Sequence, residues 1–305
     1  MITGALVLTK TYSIEKSLNK VFKFLLILVS WSAAYLFLIY FFLNQKVFTV
    51  QETIHRFLSA DIFYHLWYLY MLIGVYIVLP FVKPLLDNLS KKLQKYFIGM
   101  FLFYSLIQII PLLLRTLFHF NTTIYLKLPF MDWQLGCLVV GFYLSAISRV
   151  SKRQFILTIS IFISTNIITS ILTYLECNRI NRYTETYYGL PIFTNITSAI
   201  CMFIMAKYIS KCFSSSSFFI RLCCFIGALS LNIYLIHPLV MAYYQRYLNA
   251  WVVKHIPYLS VTYIFYYVFV SITSVILAYI LQCVIRLIKS LINTMKVTEE
   301  KVPNI

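Results

Sequence analysis

Residues 260–285 carry no charged side chain, and neither do residues 154–175. When helical, an apolar run of about 20 residues matches the hydrocarbon thickness of a bilayer. Six further stretches fit this length. Together the eight lie near 22–43, 62–82, 96–118, 129–148, 154–175, 188–209, 218–244 and 260–285. Their Ile, Val and Phe content suits strands, but runs this long without apolar–polar alternation predict helices. Of 305 residues, 61% are hydrophobic and 11% charged. A single water-soluble core could not hide so much apolar surface, so lipid is the expected solvent for most of the chain. The expected fold is an all-α membrane protein of about eight transmembrane helices. Residues 1–290 read as a single polytopic domain and 291–305 as a tail.

The connections carry the orientation. On one side fall Lys10, Lys16, Lys20 and Lys23, then Lys83, Lys91, Lys92 and Lys95, then Arg149, Lys152 and Arg153. Lys207, Lys211 and Arg221 follow, and finally Arg286, Lys289, Lys296 and Lys301. The other side holds Lys46, Arg56, Arg115, Lys127, Arg179, Arg182, Arg246 and Lys254. Positive charge is retained on the cytoplasmic side of a membrane, so both termini are expected to be cytoplasmic. The net charge of +17 is then mainly a topology signal, helped by attraction to anionic lipid. Its spread over short loops excludes a nucleic-acid footprint.

With this orientation all five histidines face outward. His55 and His255 fall in outer loops, and His65, His119 and His237 at or near outer helix ends. No Asp or Glu lies deep in a predicted span, and Asp132 sits at an outer end. Ion-coupled transporters usually place an ionisable relay near the midplane. A flippase or transporter is therefore the weaker alternative. The seven cysteines include no CxxC pair and fall mostly in apolar runs, where Cys behaves as a small hydrophobe, so no metal site is expected. Met1–Leu8 lacks a basic segment before it and a small-residue cleavage site after it, so it does not read as a cleavable signal peptide.

Two segments carry chemistry. Tyr64, His65, Trp67 and Tyr68 open the second span at the outer interface, where an aromatic belt is the simplest account of the rings. In the seventh span, Ser230, Tyr234 and His237 recur at i, i+4 and i+7 and share one helix face. A polar stripe in a membrane helix turns from lipid, either to hydrogen-bond a neighbouring helix or to line a substrate site. Pro238 removes a backbone donor and frees a carbonyl one turn earlier.

Phe63-Tyr64-His65-Leu66-Trp67-Tyr68-Leu69, followed by an apolar run to Pro80, resembles the HLW[FY]L region of the acyltransferase 3 family of membrane acyltransferases. Ser230-Leu231-Asn232-Ile233-Tyr234-Leu235-Ile236-His237-Pro238-Leu239 is similar to the family's C-terminal S-x-x-IY-x-IHP-L segment. Met1–Leu8 is similar to the FFMISG-x-L-L sequence that closes the family's second span. The resemblance covers essentially the whole chain. It implies transfer of an acyl group, commonly from cytoplasmic acetyl-CoA, to a hydroxyl of a cell-surface polysaccharide or its lipid-linked precursor. The chain looks like the bacterial members that O-acetylate sugars of O-antigen or enterobacterial common antigen. That implies a multi-pass protein of the bacterial cytoplasmic (inner) membrane, whose partners are the bilayer and a carbohydrate acceptor. Such chemistry needs a base for the acceptor hydroxyl, stabilisation of the thioester oxyanion, and a cationic grip on the donor phosphates.

One departure from the family pattern matters. The family fold has ten spans. Its first, with an Arg-x10-His motif whose histidine is the expected base, and most of its second have no counterpart here. The chain therefore reads as an N-terminally shortened member, and no residue of this sequence inherits the base. Two alternatives follow: an inactive remnant, or a partner for a separately encoded N-terminal piece. Lys20 and Lys23 stand where the family often has R-x-x-R, in the cytoplasmic loop after the second span. They are the candidates for the acyl-CoA phosphates, with Arg149, Lys152 and Arg153 a weaker choice. His65, Trp67, Ser230, Tyr234 and His237 are the candidates for the acceptor side or for lining the cavity.

Overall fold

A computed structural model describes residues 1–10, 13–43, 48–126, 128, 133–189, 192–214, 216–256 and 258–299. For residues 41–43 and 292–299 it describes the backbone only. The expectations for Lys46, Lys127, Asp132 and Lys301 fall outside the described residues.

The described residues are mostly helical and contain no strand. In chain order the helices are α1 (Ile2–Val7), α2 (Ile14–Leu43), α3 (Val50–Leu58), α4 (Trp67–Asn88), α5 (Lys91–Phe118) and α6 (Trp133–Ala146). Then come α7 (Lys152–Ile180), α8 (Phe193–Cys212), α9 (Phe218–Tyr243), a π-helical turn (Tyr244–Leu248), α10 (Asn249–His255) and α11 (Leu259–Glu299). Among the described residues seven helical segments are long and apolar enough to cross a membrane. Lipid-facing apolar side chains such as Phe81, Ile264 and Leu287 stay exposed. The chain is an all-α, multi-pass membrane protein.

The structure corrects several sequence boundaries. The fourth expected span, 129–148, is represented by α6, which has 14 residues. At 1.5 Å per residue these described residues rise roughly 21 Å, against a hydrocarbon core of roughly 30 Å. Residues 129–132 of the expected span fall outside the described residues. The second spanning helix starts at Trp67, so His65 precedes it. Lys20 and Lys23 lie on α2 and not in a loop, because the helix begins at Ile14 with Glu15 in its first turn. The Lys16 amide donates to Ser13 Oγ at 3.3 Å just before it settles into the helix.

Helix α7 outruns its predicted span at both ends. Ser151 and Gln154 form a reciprocal capping box at its start, and Asn181, with φ 51°, closes it in the left-handed region. The helix therefore includes Glu176 and Arg179. Glu176, one residue past the predicted end of that span, falls in the last turns of the longer helix and not deep within it.

The chain forms two compact units. One comprises Met1–Ala33 and Trp67–Cys212, the other Ala34–Leu66 and Phe213–Ile305. In the first, α7 packs on α8, and α5 touches α6, α7 and α8. Leu8, Leu72, Tyr76, Leu79 and Leu138 form one buried cluster, and Phe101, Val140, Leu144 and Ile196 another. The short helix α1 lies on α6 at backbone contact. A Cβ on Gly4 would meet the Leu138 carbonyl oxygen at 1.9 Å, and one on Gly141 would meet that of Met1 at 1.9 Å. Only glycine fits at either place.

In the second unit α9 packs on α11. Helix α3 starts with a capping box between Thr49 and Glu52. It ends where Ala60 adopts φ 58° and Arg56 pairs with Asp61 at 3.3 Å. The chain then turns at Phe63–Leu66, with the Leu66 amide donating to the Phe63 carbonyl at 3.0 Å. That turn carries His65 into the interior.

Candidate functional site

His65 is 5% exposed and sits among rings of its own unit. Centroid distances are 4.9 Å to Tyr35, 5.5 Å to Phe63, 5.7 Å to Tyr64, 5.2 Å to Tyr234 and 5.9 Å to His237. Two hydroxyls fix the surrounding backbone. Tyr234 donates to the His65 carbonyl, and Tyr35 donates to the Leu235 carbonyl at 2.8 Å. The imidazole itself is different: neither Nδ1 nor Nε2 finds a hydrogen-bond partner among the described residues. Burial first, and then the neighbouring His237, push its pKa down to about 4. The ring is neutral at physiological pH, offering one N–H and one lone pair with nothing to bind. A buried polar group left unmatched is costly and calls for a reason, and a ligand that pairs with it is one.

His237 has a defined tautomer. Pro238 has no N–H, so the carbonyl of Tyr234 lacks its helical donor. His237 Nδ1 fills the vacancy, at 2.8 Å from the Tyr234 oxygen and 3.3 Å from that of Ile233. A carbonyl can only accept, so Nδ1 carries the hydrogen, and in the neutral ring Nε2 keeps its lone pair.

Beside this cluster lies an apolar cavity of about 390 Å³. Tyr35 and Phe63 belong both to its wall and to the rings around His65. The rest of the wall comes from α2, α9, the π-helical turn and α11, with Arg246 the single charged side chain.

The first unit has a larger cavity of about 770 Å³. Its lining reaches from Trp133 and Gln134, which open α6, to Lys207 and Ser210 near the end of α8. Lys207 Nζ donates to the carbonyls of Leu144, Ser145 and Ile147 at 2.8, 2.7 and 2.7 Å. Those carbonyls lie in and just past the last turn of α6, so the ammonium caps that helix.

Of the residues singled out from sequence, His65, Tyr234 and His237 come together. Ser230 does not, being exposed nearly two turns away on α9. Trp67 belongs to the first unit, is 47% exposed, and sets its ring against Tyr68 and Trp133, each at 6.1 Å. Lys20 and Lys23 are exposed, three residues apart on one face of α2. Lys152 and Arg153 open α7, and Arg149 precedes it.

The sequence reading missed Tyr35, one of 25 tyrosines with nothing local to distinguish it. It also missed Glu176, which is 1% exposed. Arg179 grips that carboxylate through Nε and Nη2, both at 2.8 Å, and Arg115 reaches it at 2.7 Å. Thr116 donates to it at 2.8 Å and lies 2.6 Å from the Tyr187 hydroxyl, which donates to the Leu112 carbonyl at 2.8 Å. The i, i+3 spacing of Glu176 and Arg179 was the available signal.

The acyltransferase domain of the acyltransferase 3 family matches residues 1–283 of this chain. The chain belongs to that family, and it is a membrane acyltransferase. No curated protein and no solved structure matches it.

Proposed function

We propose that this protein moves an acetyl or other acyl group from a cytoplasmic acyl-CoA to a hydroxyl of a cell-surface polysaccharide or its lipid-linked precursor. Its place is the bacterial inner membrane. The observation that carries the reading is the buried His65 imidazole, unpartnered at both nitrogens and beside His237, in a family-matched membrane acyltransferase. A sugar presents hydroxyls that both donate and accept. The neutral His65 ring, beside a His237 whose Nδ1–H is committed to the backbone and whose Nε2 is left for a partner, suits the recognition of such a group.

On the donor side, Lys20 and Lys23 supply two exposed ammonium groups for the phosphates of coenzyme A. Lysine keeps the charge that the family often supplies as arginine, without the bidentate fork. The mixed apolar and polar cavity along α6, running toward Lys207 and Ser210, is suited to a narrow, partly polar acyl-pantetheine arm. The resemblance of the Phe63–Leu69 and Ser230–Leu239 segments to O-acetylating members supports an oxygen acceptor.

The test is direct. Purified full chain in bilayer nanodiscs receives isotope-labelled acetyl-CoA and the host's lipid-linked glycan. Mass spectrometry then follows label appearing as an alkali-labile ester. His65→Phe and His237→Phe are expected to lower the ester by about 10² while the protein stays folded. Absence of label with wild-type protein, or label in an amide, would overturn the proposal.

A further inference from the structure

The apolar cavity of the second unit is not explained by the chemistry assigned to His65 and His237. It is bounded by Ile236, Val240 and Tyr243 of α9, by Phe269 and Leu277 of α11, and by Arg246 on the π-helical turn. Four of these are aliphatic or phenyl groups, Tyr243 adds a ring, and the only charge is the guanidinium. Such a wall offers nothing to a sugar, a nucleotide or a pantetheine amide, each of which needs hydrogen bonds along its length. It suits a hydrocarbon chain ending in an anion.

The anion end is marked independently of the apolar wall. Arg246 is exposed, and its guanidinium carbon lies 5.7 Å from the centroid of the Tyr247 ring, which packs at a tilt against Tyr243 with centroids 5.1 Å apart. Among the described residues no carboxylate comes within ion-pair distance of Arg246, whereas Arg56, Arg115 and Arg179 are all paired. Its five fixed donors match a phosphate. It also sits in a π-helical insertion between α9 and α10, a local departure from α geometry that often serves a site. A volume of about 390 Å³ has room for the head-proximal part of one chain, not the paired chains of a bilayer phospholipid.

We propose that this cavity binds a single-chain lipid phosphate, with its hydrocarbon in the α9–α11 wall and its phosphate on Arg246. This rests on the reading above that the acceptor is lipid-linked, and it assigns the acceptor's anchor a place. Tyr35 and Phe63, shared between cavity wall and histidine cluster, put the anchored lipid beside the acceptor-side residues.

The experiment uses full-length protein in phosphatidylcholine nanodiscs, without acyl donor, and a geranylgeranyl phosphate bearing a diazirine in the isoprene unit next to the phosphate. Irradiation and peptide mapping are expected to place the crosslink within 236–247 or 269–277. Arg246→Gln should weaken the half-saturating concentration by about tenfold, and Ala242→Trp, which fills the cavity, should abolish labelling. Thermal melting of each variant checks the fold, and the wild-type crosslink map decides the matter should both variants fail to fold. Crosslinks elsewhere, or equal displacement of the probe by phosphatidylglycerol, would overturn the proposal. Because no donor is present, the outcome is separable from catalysis. Labelling without acyl transfer would leave the cavity assignment standing and remove the transferase reading, and transfer to a sugar without labelling would do the reverse.

Discussion

The Nδ1 of His237 occupies the carbonyl of Tyr234 at 2.8 Å, the acceptor that Pro238 leaves without its helical partner. A proline in a membrane helix is tolerated where a side chain re-satisfies the freed group. Here that side chain is a histidine, and the arrangement fixes its tautomer. Pro238→Ala restores an amide that competes for the Tyr234 oxygen and releases the ring. The expected result is a folded protein with unchanged or higher melting temperature and acyl transfer at least fivefold lower. Nitrogen-15 shifts of His237 should change from a single Nδ1–H tautomer to a mixture. Full activity in the variant would show that the tautomer is irrelevant.

His65 makes opposite demands on fold and function. Its two buried ring nitrogens have no partner, which costs about 1–3 kcal/mol for an unsatisfied group. His65→Phe keeps a ring and removes that cost, so it should be neutral or stabilising while acyl transfer falls by about 10².

The same residue sets a pH dependence of stability. In the folded protein its pKa is held at about 4, against about 6.5 for a free histidine. As pH falls from 6.5 toward 4, the unfolded chain binds a proton that the folded chain refuses, so stability declines across that window. Above 6.5 the residue contributes no slope. His65→Phe should flatten the decline in melting temperature between pH 6.5 and 4, and an unchanged slope would show that other groups cause it.

The spanning helices were legible because length and lack of charge decide them, as at 260–285 and 154–175. What the sequence hid was chiefly ends and partners. Helix α7 continues past Leu175 because a buried carboxylate needs only local cations to stay there, and hydropathy scores it as a terminator. Helix α6 read as a span to residue 148 because hydropathy does not mark where a helix stops, and the described helix ends at Ala146. At the site, His65 and His237 were recognisable from their neighbours in sequence. Ser230 shared their periodicity without sharing their surroundings. Tyr35 is distant in the chain and reaches the cluster only through folding, so no local pattern announced it.

Glu176 holds α5, α7 and the segment at Tyr187 together through Arg115, Arg179 and Thr116. Removing one member of such a buried pair strands the others, typically at about 3–5 kcal/mol, and the partly exposed arginines put this case toward the lower end. Glu176→Ala should lower the melting temperature in detergent sharply. Arg179→Lys should recover little, because lysine cannot span both carboxylate oxygens. A melting temperature within a degree of wild type would mean that the network is ornamental to the fold.

Gly4 and Gly141 let α1 touch α6 at backbone distance, each with room for no Cβ beyond 1.9 Å from a carbonyl oxygen. Alanine at either site must push a backbone away, a rearrangement with no flexible side chain to absorb it. Overpacking of this kind costs about 1–3 kcal/mol or more. By contrast, a Cβ on Gly74 or Gly227 meets nothing within 4 Å, and alanine there gains helix propensity of up to about 1 kcal/mol. The four variants therefore divide by sign in one measurement. Gly4→Ala and Gly141→Ala should melt lower and expose the N-terminal segment to protease, whereas Gly74→Ala and Gly227→Ala should melt at or above wild type. If all four behaved alike, the close approach of α1 to α6 would not be a feature of the folded protein.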